Sequence, residues 1–109
     1  MKIQDVPFSA IDWNLITPTI QPGENGQVLS RTFETRNIRV RMVEYTPGYR
    51  ADHWCSKGHI VHVLEGELVT ELADGRKFVS TAGTSFVVGD NIDSHRGYTE
   101  KGAKLFIVD

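Results

Sequence analysis

Turn-forming pairs punctuate this chain from end to end, at Pro22-Gly23, Asn25-Gly26, Pro47-Gly48, Asp74-Gly75, Ala82-Gly83, Gly89-Asp90 and Lys101-Gly102. The segments between them have strand length, and none carries a helical apolar period over enough residues to make an ordinary helix. Ile38 to Tyr45 alternates, with Ile38, Val40 and Met42 on one face and Arg39, Arg41 and Val43 on the other. His59–Glu65, Glu67–Leu72, Arg76–Ser80, Thr84–Val88 and Lys104–Val108 are rich in Val, Ile, Leu, Phe and Thr and read as five further short strands. Asp74-Gly75 joins two of them as a tight hairpin, since Asp-Gly tolerates the positive φ that such turns need. Many short strands with frequent turns predict an all-β sandwich or barrel, in which closure removes exposed edges.

The N-terminal third reads differently. Phe8 to Ile20 carries apolar residues without clean alternation, and Gln21 to Gln27 is a polar loop containing glycine. Residues 1–36 are therefore expected to form an arm that packs on the barrel or on a partner subunit, with residues 37–109 as the barrel. At 109 residues with 39% hydrophobic content, one domain with one core is the expectation.

Charge excludes some partners. Twelve basic and fourteen acidic residues are dispersed along the chain, with no run that would track phosphates or anionic lipid, so neither nucleic acid nor membrane is expected. The opening MKIQDVPFSAID has no signal-peptide character, and a single cysteine permits no internal disulfide, which suits a cytoplasmic protein.

The chemistry concentrates in PGYRADHWCSKGHIVHVLEG, Pro47 to Gly66. His53, Cys55 and His59 stand at i, i+2 and i+6, and on an extended chain all three point to one face. Imidazole nitrogen and thiolate sulfur are ligands for Zn, Fe or Cu, so a transition-metal pocket is the leading reading. Two others stand beside it: a buried thiol between hydrogen-bonded histidines, and a reactive Cys55 thiolate favoured by Lys57. By the same alternation His62, Asp52 and Trp54 face away from this cluster. A ligating histidine usually donates its other ring N–H to a carboxylate or carbonyl, for which Asp52, Glu44, Glu65 and Glu67 are near in sequence. Arg39, Arg41 and Arg96 are the cations best placed to bind a small carboxylate through a guanidinium fork.

These residues resemble the cupin superfamily. Its first motif is a glycine, a His-x-His pair, a Glu four residues on and a closing glycine, and Gly48, His53, Cys55, His59 and Gly66 occupy those places. Gly48 lies one residue nearer His53 than is usual. The second motif, a glycine, a turn and a further metal-binding His, is matched by Gly83, Gly89-Asp90 and His95, with His95 one residue late and Gly89 where a proline is usual. Through YTPGYRADHWCSKGH, LEGEL, DGR and GAKLFIVD the chain is similar to the small bacterial DHCW-motif cupins, although its own order is Asp52-His53-Trp54-Cys55.

The resemblance implies a jelly-roll barrel, the double-stranded β-helix, and a homodimer. It also implies a metal set of His53, Cys55, His59 and His95, with Cys in place of one His and His in place of the Glu. Such a softer set favours divalent Zn or Fe, with Cu or Ni as further candidates, over Mn. Three functions fit: a metal-dependent oxygenase, isomerase or lyase acting on a small polar or carboxylate-bearing molecule, a non-catalytic small-molecule binder, or a barrel with a closed structural metal site.

Overall fold

The structure is a computed structural model and describes residues 2–109. A short 3-10 turn (Trp13–Leu15) precedes eight strands: β1 (Thr19–Pro22), β2 (Gln27–Thr35), β3 (Ile38–Tyr45), β4 (His59–Leu72), β5 (Lys77–Thr81), β6 (Ser85–Val88), β7 (His95–Tyr98) and β8 (Ala103–Val108). They pair antiparallel in the order β1-β2-β3-β8-β4-β5, with β6 and β7 also bonded to β4. The first half of β4 pairs with β8 and β6, and its second half with β5 and β7. One strand therefore belongs to two sheet halves, which fold over each other and enclose a space. Bridges from Asn25 to Arg50, Arg50 to Tyr98 and Cys55 to His95 tie the connecting segment between β3 and β4 to the rest. This is the all-β architecture that the turn spacing predicts, in the jelly-roll form that the resemblance implies.

Two expectations need correction. His59–Glu65 and Glu67–Leu72 are one 14-residue strand rather than two, bent where the register with β8 shifts between Val63 and Glu65. Gly66 sits in that bend at φ +79°, where a Cβ would collide with the Gly102 carbonyl oxygen. Secondly, the sequence pattern names no strand before Ile38 and leaves residues 1–36 as a packing arm, whereas β2 pairs with β3 along Val28 to Thr35. Its sequence places Val28 and Leu29 side by side on opposite faces, and both are half-buried, which hides the alternation. Residues before β1 do lie against the sheet, where Arg31 Nε donates to the Ile16 carbonyl (3.0 Å) and Asn37 bonds to Lys2 and Gln4.

Inward-facing residues form rows across β3, β8 and β4. Val43, Leu105 and Val63 make one row, and Arg41, Ile107 and Val61 the next. The third consists of Arg39, Asp109 and His59: Arg39 and Asp109 exchange backbone bonds of 2.7 and 2.9 Å, continuing the ladder past the end of β8. The arginine-bearing face of β3 is thus the one turned into the barrel. Val43, Val61, Val63, Leu68, Ala103, Leu105 and Ile107 close one end as the apolar core, each large aliphatic side chain contributing about 1.5–3 kcal/mol on burial. The other end is polar.

Replacing Gly66 with Ala combines backbone strain with a collision, whereas Gly75 (φ +97°) has open space around it. Gly75→Ala should lose about 1–3 kcal/mol of unfolding free energy, and Gly66→Ala more than that. Urea unfolding checks this; equal losses would mean that the bend relaxes away from Gly102.

Candidate metal centre

The backbone brings Cys55 and His95 face to face. Cys55 N–H donates to the His95 carbonyl (2.7 Å) and His95 N–H to that of Cys55 (2.9 Å), a closed pair of bonds between β7 and the loop entering β4. His59 opens β4 on the adjacent wall. Their donor atoms converge: Cys55 Sγ is 3.6 Å from His59 Nε2, which is 3.0 Å from His95 Nε2, and all three lie within 4.8 Å of one another.

Both rings are fixed from behind. His95 Nδ1–H donates to the Asp93 carbonyl at 2.9 Å, and His59 Nδ1–H donates to Asp109 Oδ2 at 2.9 Å. With Nδ1 protonated on each ring, both Nε2 atoms carry lone pairs. Two such lone pairs at 3.0 Å repel unless a cation lies between them. Metal–nitrogen and metal–sulfur bonds of about 2.0–2.1 and 2.3 Å in a tetrahedron separate the donors by roughly 3.3 Å (N to N) and 3.6 Å (S to N), close to what the side chains show. The donor set therefore fits a transition metal.

Asp109 holds this arrangement. Its side chain is only 1% exposed; Arg39 binds it through two nitrogens (2.9 and 3.1 Å) and Arg41 through one (3.0 Å). Burial alone would raise its pKa, but hydrogen bonds from Arg39 and His59 and the charges of Arg41 and Arg39 hold the carboxyl well below the usual carboxylate range. Burial pushes His59 below the ordinary imidazole value, outweighing the opposite pull of Asp109, so the ring is neutral and ligand-competent near neutral pH.

Among the described residues the convergent group is Cys55, His59 and His95, and His53 is not in it. Asp52 and His53 form a bend, so the alternation expected from His53 to His59 is interrupted before Cys55. His53 instead bonds Asp52 Oδ1 at 2.7 Å with its side chain 76% exposed, at the rim of the cavity. Arg39 and Arg41 face inward, engaged by Asp109. Arg96 alternates away from His95 along β7; it pairs with Glu71 (3.1 Å) and its guanidinium stacks on Trp54 (4.4 Å). His62 and Trp54 face outward as alternation predicts, His62 bonded to Ser85 at 2.7 Å. The carboxylate behind His59 was not among the four near in sequence. Its signal was phase: Ala103, Leu105 and Ile107 point inward along β8, and Asp109 is next in that series.

Behind the donors a cavity of about 320 Å³ runs toward the core, walled by β3, β4, β7 and β8. A metal-capable donor group stands at the mouth of a jelly-roll cavity, and solved structures, cupins among them, share this fold. The chain is similar to a predicted oxalate decarboxylase from Thermotoga maritima (TM-score 0.78, 17% identity, 92% of this chain and 96% of that one). It is also similar to a cupin-superfamily sugar phosphate isomerase from Silicibacter pomeroyi (TM-score 0.69, 19% identity, 92% and 74% covered). A cupin-2 domain protein from Shewanella frigidimarina matches with TM-score 0.60 and 18% identity over 73% and 78% of the two chains. No family model and no curated protein matches the sequence. Among the described residues no helix is long and apolar enough to cross a membrane.

Asp109→Asn should weaken metal binding by about 10–100-fold, since it removes the negative charge that orients His59 and balances Arg39 and Arg41; competition with a chromogenic chelator measures it. In metal-free protein the same substitution probes pH linkage. A carboxylate with a depressed folded pKa stabilises above its unfolded pKa of about 3.9, and that contribution fades as pH falls through the folded value. The stability gap between wild type and Asp109→Asn should therefore be full at neutral pH and shrink below about pH 4, as followed by urea unfolding across the acid range.

Proposed function

We propose that this protein is a metal-dependent cupin that acts on a small carboxylate-bearing molecule, as an oxygenase, isomerase or lyase. The observation that carries the reading is that three protein donors, not four, converge at the mouth of a cavity. Three protein ligands leave a coordination position for water or substrate, as in catalytic sites, whereas structural zinc sites are usually closed by four. Two imidazoles and one thiolate suit Zn or Fe. Such an ion, when bound, supplies Lewis acidity toward a substrate oxygen. Cys55, His59 and His95 hold it, Asp109 and the Asp93 carbonyl keep both rings in the ligating tautomer, and the cavity walls exclude bulk water. The named activities of the fold neighbours, on oxalate and on a sugar phosphate, concern small anions, and oxalate is itself a carboxylate. A thiol ligand suits the reducing cytoplasm.

The proposal includes a homodimer. A 12.2 kDa monomer exposes roughly 6,100 Å², and this chain exposes 6918 Å², an excess of roughly 800 Å², the share each partner contributes to a standard interface. Phe8 (98% exposed), Leu15 (83%) and Val87 (74%) account for part of it.

Elemental analysis of purified protein should find stoichiometric metal in wild type and in His53→Ala, and little in Cys55→Ala or His59→Ala. Chelator should lower the wild-type melting temperature, because a ligand bound only by the folded state stabilises it by mass action. Metal-free wild type, or variants that retain full metal, would remove the reading. Light scattering should return a dimer mass.

A further inference from the structure

We infer that the floor of the cavity is a carboxylate subsite formed by Arg41 and Thr70, one row deeper than the metal donors; this rests on the metal-cupin reading above. Thr70 is only 6% exposed, lines the cavity, and its hydroxyl has no hydrogen-bond partner in the protein. Arg41 lines the opposing wall and spends one Nη on Asp109, while its buried Nε is also without a partner. A buried donor left unpaired costs about 1–3 kcal/mol, so two on facing walls of one cavity mark a place where something else accepts.

Charge names the acceptor. No Asp or Glu lines the cavity among the described residues, and the single Asp109 carboxylate behind it faces two guanidiniums. The space is electropositive before any metal enters. Strand register then sets depth. Arg41 lies two residues along β3 from Arg39, in the row of Ile107, and Thr70, opposite Gly97, lies two residues from Leu72, which is opposite His95. The backbones of both residues thus lie about 6.6 Å below the metal row along their strands, and the Arg41 guanidinium reaches back up to Asp109. A short acid whose carboxylate rests on Arg41 and Thr70 has room to present a second oxygen, about two or three carbons away, to the open coordination position. Val61, Phe86 and Ile107, level with the subsite, wall the carbons above it.

The test is calorimetric titration of metal-loaded protein with succinate and with its neutral diamide, succinamide, metal content being measured on the same samples. Succinate should bind and succinamide should not. Thr70→Val, which keeps shape and removes the hydroxyl, should weaken succinate about tenfold or more while leaving the melting temperature equal or higher. Thr70→Ser should restore binding. Equal succinate affinity in wild type and Thr70→Val, equal affinity for the diamide, or no succinate binding at millimolar concentration would overturn the subsite while leaving the metal reading intact. If wild type carries no metal, that reading fails, and a Thr70→Val effect on succinate binding to the metal-free protein still decides the subsite.

Discussion

The structure turns on one buried carboxylate. Asp109 lies almost wholly out of solvent, and an ionised carboxylate in that position is tolerated only when paired and hydrogen-bonded. Arg39 and Arg41 meet that requirement, and they do so by facing into the barrel, on the side of β3 that an apolar core would otherwise claim. The same carboxylate takes the Nδ1 proton of His59 and so turns Nε2 toward Cys55 and His95. The orientation of His59 and the inward turn of both arginines are consequences of one row of residues on adjacent strands.

Along the barrel axis this row marks a change of solvent character. Two rows away Val43, Leu105 and Val63 pack as an ordinary core that anchors β3, β8 and β4 in register. Between core and mouth, long cationic side chains and a lone threonine hydroxyl replace aliphatic groups, and the barrel keeps an open interior. Strands carry His59 and His95, and a backbone bridge to β7 fixes Cys55 in its connecting segment, so the convergent group rests on hydrogen-bonded backbone. The jelly roll itself hosts many chemistries, so function rests on this row and its neighbours and not on the fold.

Much of this was legible in the chain. Alternation paired Arg39 with Arg41, grouped Cys55 with His59, and sent His62 and Trp54 outward; turn chemistry separated most of the strands. Where it failed, the reasons are local. Gly66 reads as a turn because glycine so often ends a strand, yet here it lets one strand bend past Gly102. His53 reads as in phase on an extended chain, and the bend at Asp52 breaks that phase. Arg96 follows a metal donor in sequence and for that reason faces the other side of the sheet, where Glu71 and Trp54 hold it.

Pattern within a strand is a property of neighbouring residues, and so the sequence determined the all-β class, the identity of most strands and the grouping of Cys55 with His59. Which residue stands across from which depends on register between strands distant in the chain. Only the tertiary structure could decide that Asp109 lies fifty positions from His59 and 2.9 Å away, that β2 belongs to the sheet, and that Arg41 and Thr70, from distant strands, line one cavity. Those are cross-strand facts, set by the bends, bulges and hydrogen-bond ladders that close the barrel.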